Sequence, residues 1–281
     1  MTVTSPIVPT YSSRIPYLTP VEYEASPTGV DTGNLVPDGT TQQNADALVQ
    51  TIARASSWVD TECRKVLAAT LDTTAGRYRV RGDGTITVPL DFTPILQVTS
   101  VQAGSTPSTL SPLGDLSNVW LGRKVATIPL WGVPVGSGWA YAVVQYVNGY
   151  ANGLLTQTVS AQATTLTLDS TLGIAPGEQL TIYDPGSTET VTVATVTDTG
   201  VTLTAPTASA HLANVAVSAL PPAIKQATVL LTSALIKTRG DDAIVMPDIS
   251  GQPSHSQTMD PTGSEDITVA FELLAPYRRV A

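Results

Sequence analysis

Charge is scarce in this 281-residue chain. Asp, Glu, Lys and Arg make up 13% of it, about half the roughly 25% of an average soluble protein. The balance is acidic, 14 Lys and Arg against 23 Asp and Glu, for a formal net charge of −9. This argues against a broad phosphate-binding face, because nonspecific nucleic-acid affinity comes from Lys and Arg releasing counterions. It leaves room for DNA passing close by without sticking. A single cysteine, Cys63, removes any disulfide framework within the chain, and its place in a helical pattern reads as apolar packing. With that cysteine and two isolated histidines, His211 and His255, no structural zinc site can be assembled. His211 is expected at a turn or strand edge. The chain has no G-x-S-x-G elbow, no H-E-x-x-H, no C-x-x-C and no G-x-x-x-x-G-K. Asp241, Asp242 and Asp248 lack the alternate spacing of an EF-hand and read as a solvated acidic loop. Aromatics are only 5%, too few for a typical sugar-cleaving cleft. No catalytic, cofactor or metal site is expected, and no enzymatic activity. No apolar run approaches the length of about 18 residues that a membrane span needs. The opening MTVTSPIVPTYSSRIPYL has no basic start followed by an apolar core, so no secretion signal is expected either.

Thr, Ser and Gly take the place of charge. Such a surface suits a protein that works inside an assembly. Residues 1–43 are punctuated by Pro6, Pro9, Pro16, Pro20, Pro27 and Pro37 and read as an extended arm, with one helical turn at TPVEYEAS. Residues 44–70 carry Leu48, Ile52, Ala55, Val59, Cys63 and Val66 at three- and four-residue steps, which predicts an amphipathic helix over about 46–68 capped by Asn44 or Asp46. The period then falls to two. RYRVRGDGTITVPL (77–90) predicts a hairpin around Gly82-Asp83-Gly84, and the Arg81-Gly82-Asp83 within it is explained by the turn. ILQVTSVQAG (95–104) and WAYAVVQYVNGY (139–150) predict further strands.

Residues 154–218 contain no Lys or Arg but have Asp169, Glu178, Asp184, Glu189 and Asp198. Their short alternating runs predict a small inserted all-β sandwich or barrel. The surrounding segments, 44–153 and 219–281, are then one discontinuous domain.

LPPAIKQATVLLTSALIKTRG (220–240) predicts a helix over 222–239 that is apolar on nearly every side. Burying Ile224, Val229, Leu230, Leu231, Leu235 and Ile236 does not offset the entropy of ordering the segment, so the helix needs partners on more than one side. Helix 46–68 and the sheet are candidates for two, and a neighbouring copy of the chain for the third; a central helix in the core of a monomer is the alternative. A long loop, 240–266, follows, and then a short C-terminal helix with Ile267, Phe271 and Leu274 on one face, Ser264 as its cap and Pro276 at its end.

The order YLTPVEYEASPTGVD, ARASSWVDTECRKVLAAT, LPPAIKQATVLLTSALIKTRGDD and FELLAPYRR resembles the head-to-tail adaptor (connector) proteins of long-tailed bacteriophages, especially those of actinobacteriophages. The resemblance covers roughly 17–90 and 219–281. It implies an α+β chain with an adaptor-type helical core, to which the extra strands and the β insertion are added. It also implies a virion structural protein at the head-to-tail junction, in a homo-oligomeric ring, commonly of twelve. That ring sits between the portal protein and the downstream neck, stopper or tail protein, with DNA passing through its lumen. The family's C-terminal segment commonly docks on the portal, which here means the tail around Leu274, Tyr277, Arg278 and Arg279. The alternative is another virion structural or decoration protein whose β insertion binds host glycan or a partner protein.

Overall fold

The computed structural model describes residues 15–134, 138–238 and 261–279. The chain starts with α1 (Pro20–Glu24) and α2 (Thr41–Cys63). Seven strands follow: β1 (Thr70–Arg79), β2 (Thr85–Pro89), β3 (Ile95–Gly104), β4 (Ser111–Pro112), β5 (Trp120–Leu121), β6 (Val125–Pro129) and β7 (Trp139–Asn148). Six more come next: β8 (Asn152–Leu154), β9 (Thr165–Thr167), β10 (Gln179–Tyr183), β11 (Glu189–Thr197), β12 (Gly200–Leu203) and β13 (Ala216–Ser218). Helices α3 (Pro222–Lys237) and α4 (Pro261–Leu274) close the described chain, with one 3-10 turn at Ala275–Tyr277.

The fold is mainly β, which corrects the expectation of an adaptor-type helical core. Three antiparallel sheets, in the orders β1-β7-β3-β4, β2-β6-β5 and β8-β13-β10-β11-β12-β9, organise the chain. The first two face each other across Ile86, Val88, Ala126 and Ile128 on one side and Val98, Val101, Ala142, Val144 and Tyr146 on the other. The third sheet curls until its end strands meet again at the Leu155–Leu168 bridge. Its interior is filled by Leu166, Leu180, Ile182, Val193 and Val217. Local patterning explains these choices: β10 alternates in exposure, and in β11 Val191 and Val193 are buried two residues apart, the period of a strand with one wet face. The helices form a smaller apolar cluster beside the sheets.

Two local expectations change with the fold class. Helix α2 runs from Thr41 to Cys63 instead of about 46–68. Thr40 makes a capping box with Gln43 at its start, and Arg64, in the left-handed region at φ 54°, stops it. Asn44 is therefore no cap. Its buried amide donates to Gly33 O at 2.7 Å and accepts from Val36 N–H at 2.7 Å, pinning the arm. The Gly82-Asp83-Gly84 turn does form, with Asp83 accepting from the Thr85 N–H and hydroxyl. Yet β1 pairs with β7 and β2 with β6, so the turn is a corner between two sheets and no hairpin forms.

Candidate interaction surfaces

The chain's unusual helix, α3, finds its partners within its own chain. Ile224 and Leu231 are fully buried, with Ala55, Val59, Cys63 and Leu67 on one side and Ala270 and Leu274 on the other. Val229 points elsewhere, onto Leu18, Tyr23, Leu48 and Ile52 of the arm and α2. Leu230 and Leu235 lie partly buried against the first cluster, Ile236 against the second. Between these faces Thr228, Thr232 and Ser233 are buried, and each hydroxyl donates to the carbonyl four residues back. No polar group is orphaned there.

One ion pair knits three segments. Lys225 Nζ lies 2.5 Å from Glu22 Oε1, with both side chains 7% exposed. The other carboxylate oxygen accepts from the Thr19 N–H at 2.7 Å and hydroxyl at 2.9 Å. Lys225 Nζ also stands 3.8 Å from the centre of the Tyr183 ring on β10. Burial pulls the Lys225 ammonium below its ordinary value, and Glu22 opposes that pull. The pair therefore joins α1, α3 and the curled sheet.

The expected portal-docking tail is also held by its own chain. Leu274 is fully buried. Tyr277 meets Tyr150 edge-on, ring centres 6.5 Å apart. Arg278 pairs with Glu62. The Arg279 N–H donates to Cys63 O at 2.9 Å, satisfying a free carbonyl at the end of α2. Its guanidinium lies 3.4 Å from Asp91 and 5.0 Å from the Phe92 ring centre. Arg278 and Arg279 stay exposed. His255, Asp241, Asp242, Asp248 and most of the 240–266 loop lie outside the described residues; its last part, 261–266, belongs to α4.

His211 lies outside the named strands, in an isolated bridge to Val159, which fits the turn or strand edge expected of it; the burial of its side chain is unexpected there. Its side chain is fully buried between two carboxylates, with Nε2 2.6 Å from Glu189 Oε1 and Nδ1 3.4 Å from Asp184 Oδ2. Glu189 also accepts from the Ala208 and Ser209 N–H groups, and Asp184 from the Leu212 N–H. Burial raises the Glu189 carboxyl, but these donors and His211 outweigh it and hold it below its ordinary 4.5. The carboxylates sit at opposite ring nitrogens, so the three cannot share a metal ion. The cluster fastens the 207–212 loop to β10 and β11. The sequence carried a hint of it, since His211 is the one potential cation among the five carboxylates of 154–218.

Two further surfaces of the described residues are open. On the outer face of the first sheet, Arg79 stands opposite Trp139 and Arg77 opposite Tyr141. The Arg77 guanidinium lies 5.2 Å from the Trp139 ring centre, within cation–π range. Trp139 is 44% exposed, and both arginines are exposed. At the other end of β7 a groove of about 950 Å³ separates β3 from the loops of the curled sheet. Leu96, Val147, Leu172 and Ile174 give it an apolar lining, and Asp169 and Asp198, both exposed, give it negative charge. Neither surface was read from the sequence, because both exist only once the strand register is known.

No family model matches this chain, and no curated protein matches it. Among solved structures, a chain of the "Neck of empty GTA particle computed with C6 symmetry" is similar over 94% of each chain, at 14% identity and a TM-score of 0.38. At that score and identity, neither fold nor role passes from that structure to this chain.

Proposed function

We propose that this chain is a non-enzymatic structural subunit of a phage-like particle, a head-to-tail adaptor at the neck. Copies close into a ring, twelve by the resemblance, between the portal and the next neck or tail protein, and DNA runs through the lumen without specific binding. One observation carries the reading. The four stretches that resemble the adaptors, far apart in sequence, converge on one cluster. The arm helix meets α3 at Glu22–Lys225, α2 and α4 pack on α3, and the tail closes on α2 through Arg278–Glu62. The resemblance thus lies in residues that contact one another, within an architecture that is mainly β.

The acidic balance supports the same reading, because like charge keeps DNA from sticking to a channel wall. The His211 side chain is fully buried between Glu189 and Asp184, which supports a structural role for the one histidine among the described residues. The glycan-binding alternative gains nothing from the curled sheet. Tyr183 is the only aromatic in 154–218, and Lys225 already occupies its face.

Electron microscopy of the purified chain, alone and mixed with the portal protein encoded nearest to it, tests the proposal. The expected result is a closed ring with a hole that admits a duplex, or a ring that forms only on the portal. A chain that stays monomeric and ignores the portal overturns it.

A further inference from the structure

The two open surfaces are complementary in charge, and they lie on the same chain. One is a patch of Arg77, Arg79, Trp139 and Tyr141 on neighbouring strands, its arginines and Trp139 exposed; the other is a groove with an apolar lining and two carboxylates. Arg and Trp are the residue types that anchor protein interfaces. Among the described residues Arg77 has its ring contact with Trp139 but neither arginine has an ion-pair partner. The curled sheet, by contrast, has no cation outside His211 to neutralise Asp169 and Asp198. Among the described residues one chain therefore carries cations without an ion-pair partner at one place and carboxylates without one at another.

They cannot meet within one molecule. Trp139 opens β7 and Val147 lies near its end, and eight residues of strand span roughly 27 Å. They can meet between molecules. We infer that the Arg77–Arg79–Trp139 patch of one copy seats in the Asp169–Asp198 groove of the next, a head-to-tail contact between identical chains. Two different patches at opposite ends of one strand make a heterologous interface, which closes as a ring when the rotation per step divides the circle. The inference rests on the ring reading above and names the surfaces that build the ring. Duplex DNA is the competing occupant of a basic aromatic patch. The acidic groove on the same chain favours a second copy.

Charge reversal in the full chain tests this. R77E/R79E and D169R/D198R each juxtapose like charges and are expected to abolish assembly, leaving monomers by light scattering and by microscopy on the portal. The quadruple variant restores opposite charges in swapped positions and is expected to recover oligomers. All four exchanged side chains are exposed, Asp169 also accepts from the Leu154 N–H at 2.7 Å, and an unchanged circular dichroism melt shows that each variant folds. A second measurement uses weak association. In the double variant R79C/D198C mild oxidation is expected to give a ladder of disulfide-linked chains, whereas R79C and D198C alone stop at dimers. Rings that survive both double reversals overturn this interface and leave the ring reading standing. A wild-type chain that forms no ring, and a double-cysteine variant that gives no ladder, overturn both. Binding of duplex DNA that is lost in R77E/R79E, with self-association unchanged, assigns the patch to DNA and overturns the contact between copies.

Discussion

Replacing Glu22 with Gln keeps the shape of the α1–α3 junction and removes one charge. At 2.5 Å and an effective dielectric of about 20, the attraction between Glu22 and Lys225 is roughly 7 kcal/mol. Most of it is offset by the several kcal/mol that desolvating each ion costs. The net worth of the pair is therefore small, but the cost of breaking it is not. In E22Q the Lys225 ammonium stays 7% exposed, with a neutral amide and the Tyr183 ring as its company. Breaking a buried pair in this way costs about 3–5 kcal/mol. The double variant E22Q/K225M removes both charges while the amide at position 22 keeps an acceptor for the Thr19 N–H and hydroxyl, and it is expected to lie within about 1–2 kcal/mol of the wild type or above it. Urea denaturation followed by circular dichroism reads both variants as shifts in midpoint at constant slope. An E22Q variant that loses less than about 1 kcal/mol, or a double variant as damaged as the single, refutes the reasoning; solvent or another group would then be carrying the Lys225 charge.

Three further outcomes are expected. Gly149 has φ +93°, and a Cβ there would sit 2.4 Å from the Ala68 carbonyl oxygen; G149A should cost roughly 2–5 kcal/mol, the sum of left-handed strain and backbone displacement, and an unchanged thermal midpoint would count against the packing described at this junction. The Glu189 carboxyl is held below 4.5 by its donors, so its contribution is complete above that pH and is lost as pH falls through the lower folded value. A titration of stability between about pH 5 and 2 should lose part of its slope in E189Q, and identical slopes would contradict the cluster. Burial pushes the Cys63 thiol up to about 11, and the side chain is fully covered, so a thiol reagent at neutral pH should label it only after denaturant is added, with prompt labelling of the native chain as the contrary result.

Elements with a strong local period were legible in the sequence. Leu48, Ile52, Ala55, Val59 and Cys63 announce α2, and the alternation in ETVTVATVTD announces β11. What local pattern could not supply was the share of the chain held by sheets. Thr70–Gly76 shows no hydrophobic alternation and becomes strand because β7 lies beside it. Tyr78 and Ile86 looked like partners across a turn, yet Tyr78 stands opposite Ala140 and Ile86 opposite Ile128, both distant in sequence. The candidate surfaces were hidden for the same reason. Arg77, Arg79, Trp139 and Tyr141 are unremarkable until register sets them side by side, and His211 looked like a turn residue until Glu189 and Asp184 enclosed it.

The curled sheet begins at β8 and ends at β13, and these two strands are paired, Asn152 opposite Ser218. The backbone thus leaves the rest of the protein and comes back at neighbouring points, about 5 Å apart. To the remainder of the chain the whole 152–218 unit is equivalent to a tight turn. Closing such a gap costs little more for a long segment than for a short one, about 0.6 kcal/mol per doubling of length. Asn152 and Ser218 therefore form a socket. What is plugged into it can be lengthened, exchanged or cut back to a few residues while the strands and helices on the other side keep their positions, and Tyr183 under Lys225 is the latch that a replacement would have to supply again.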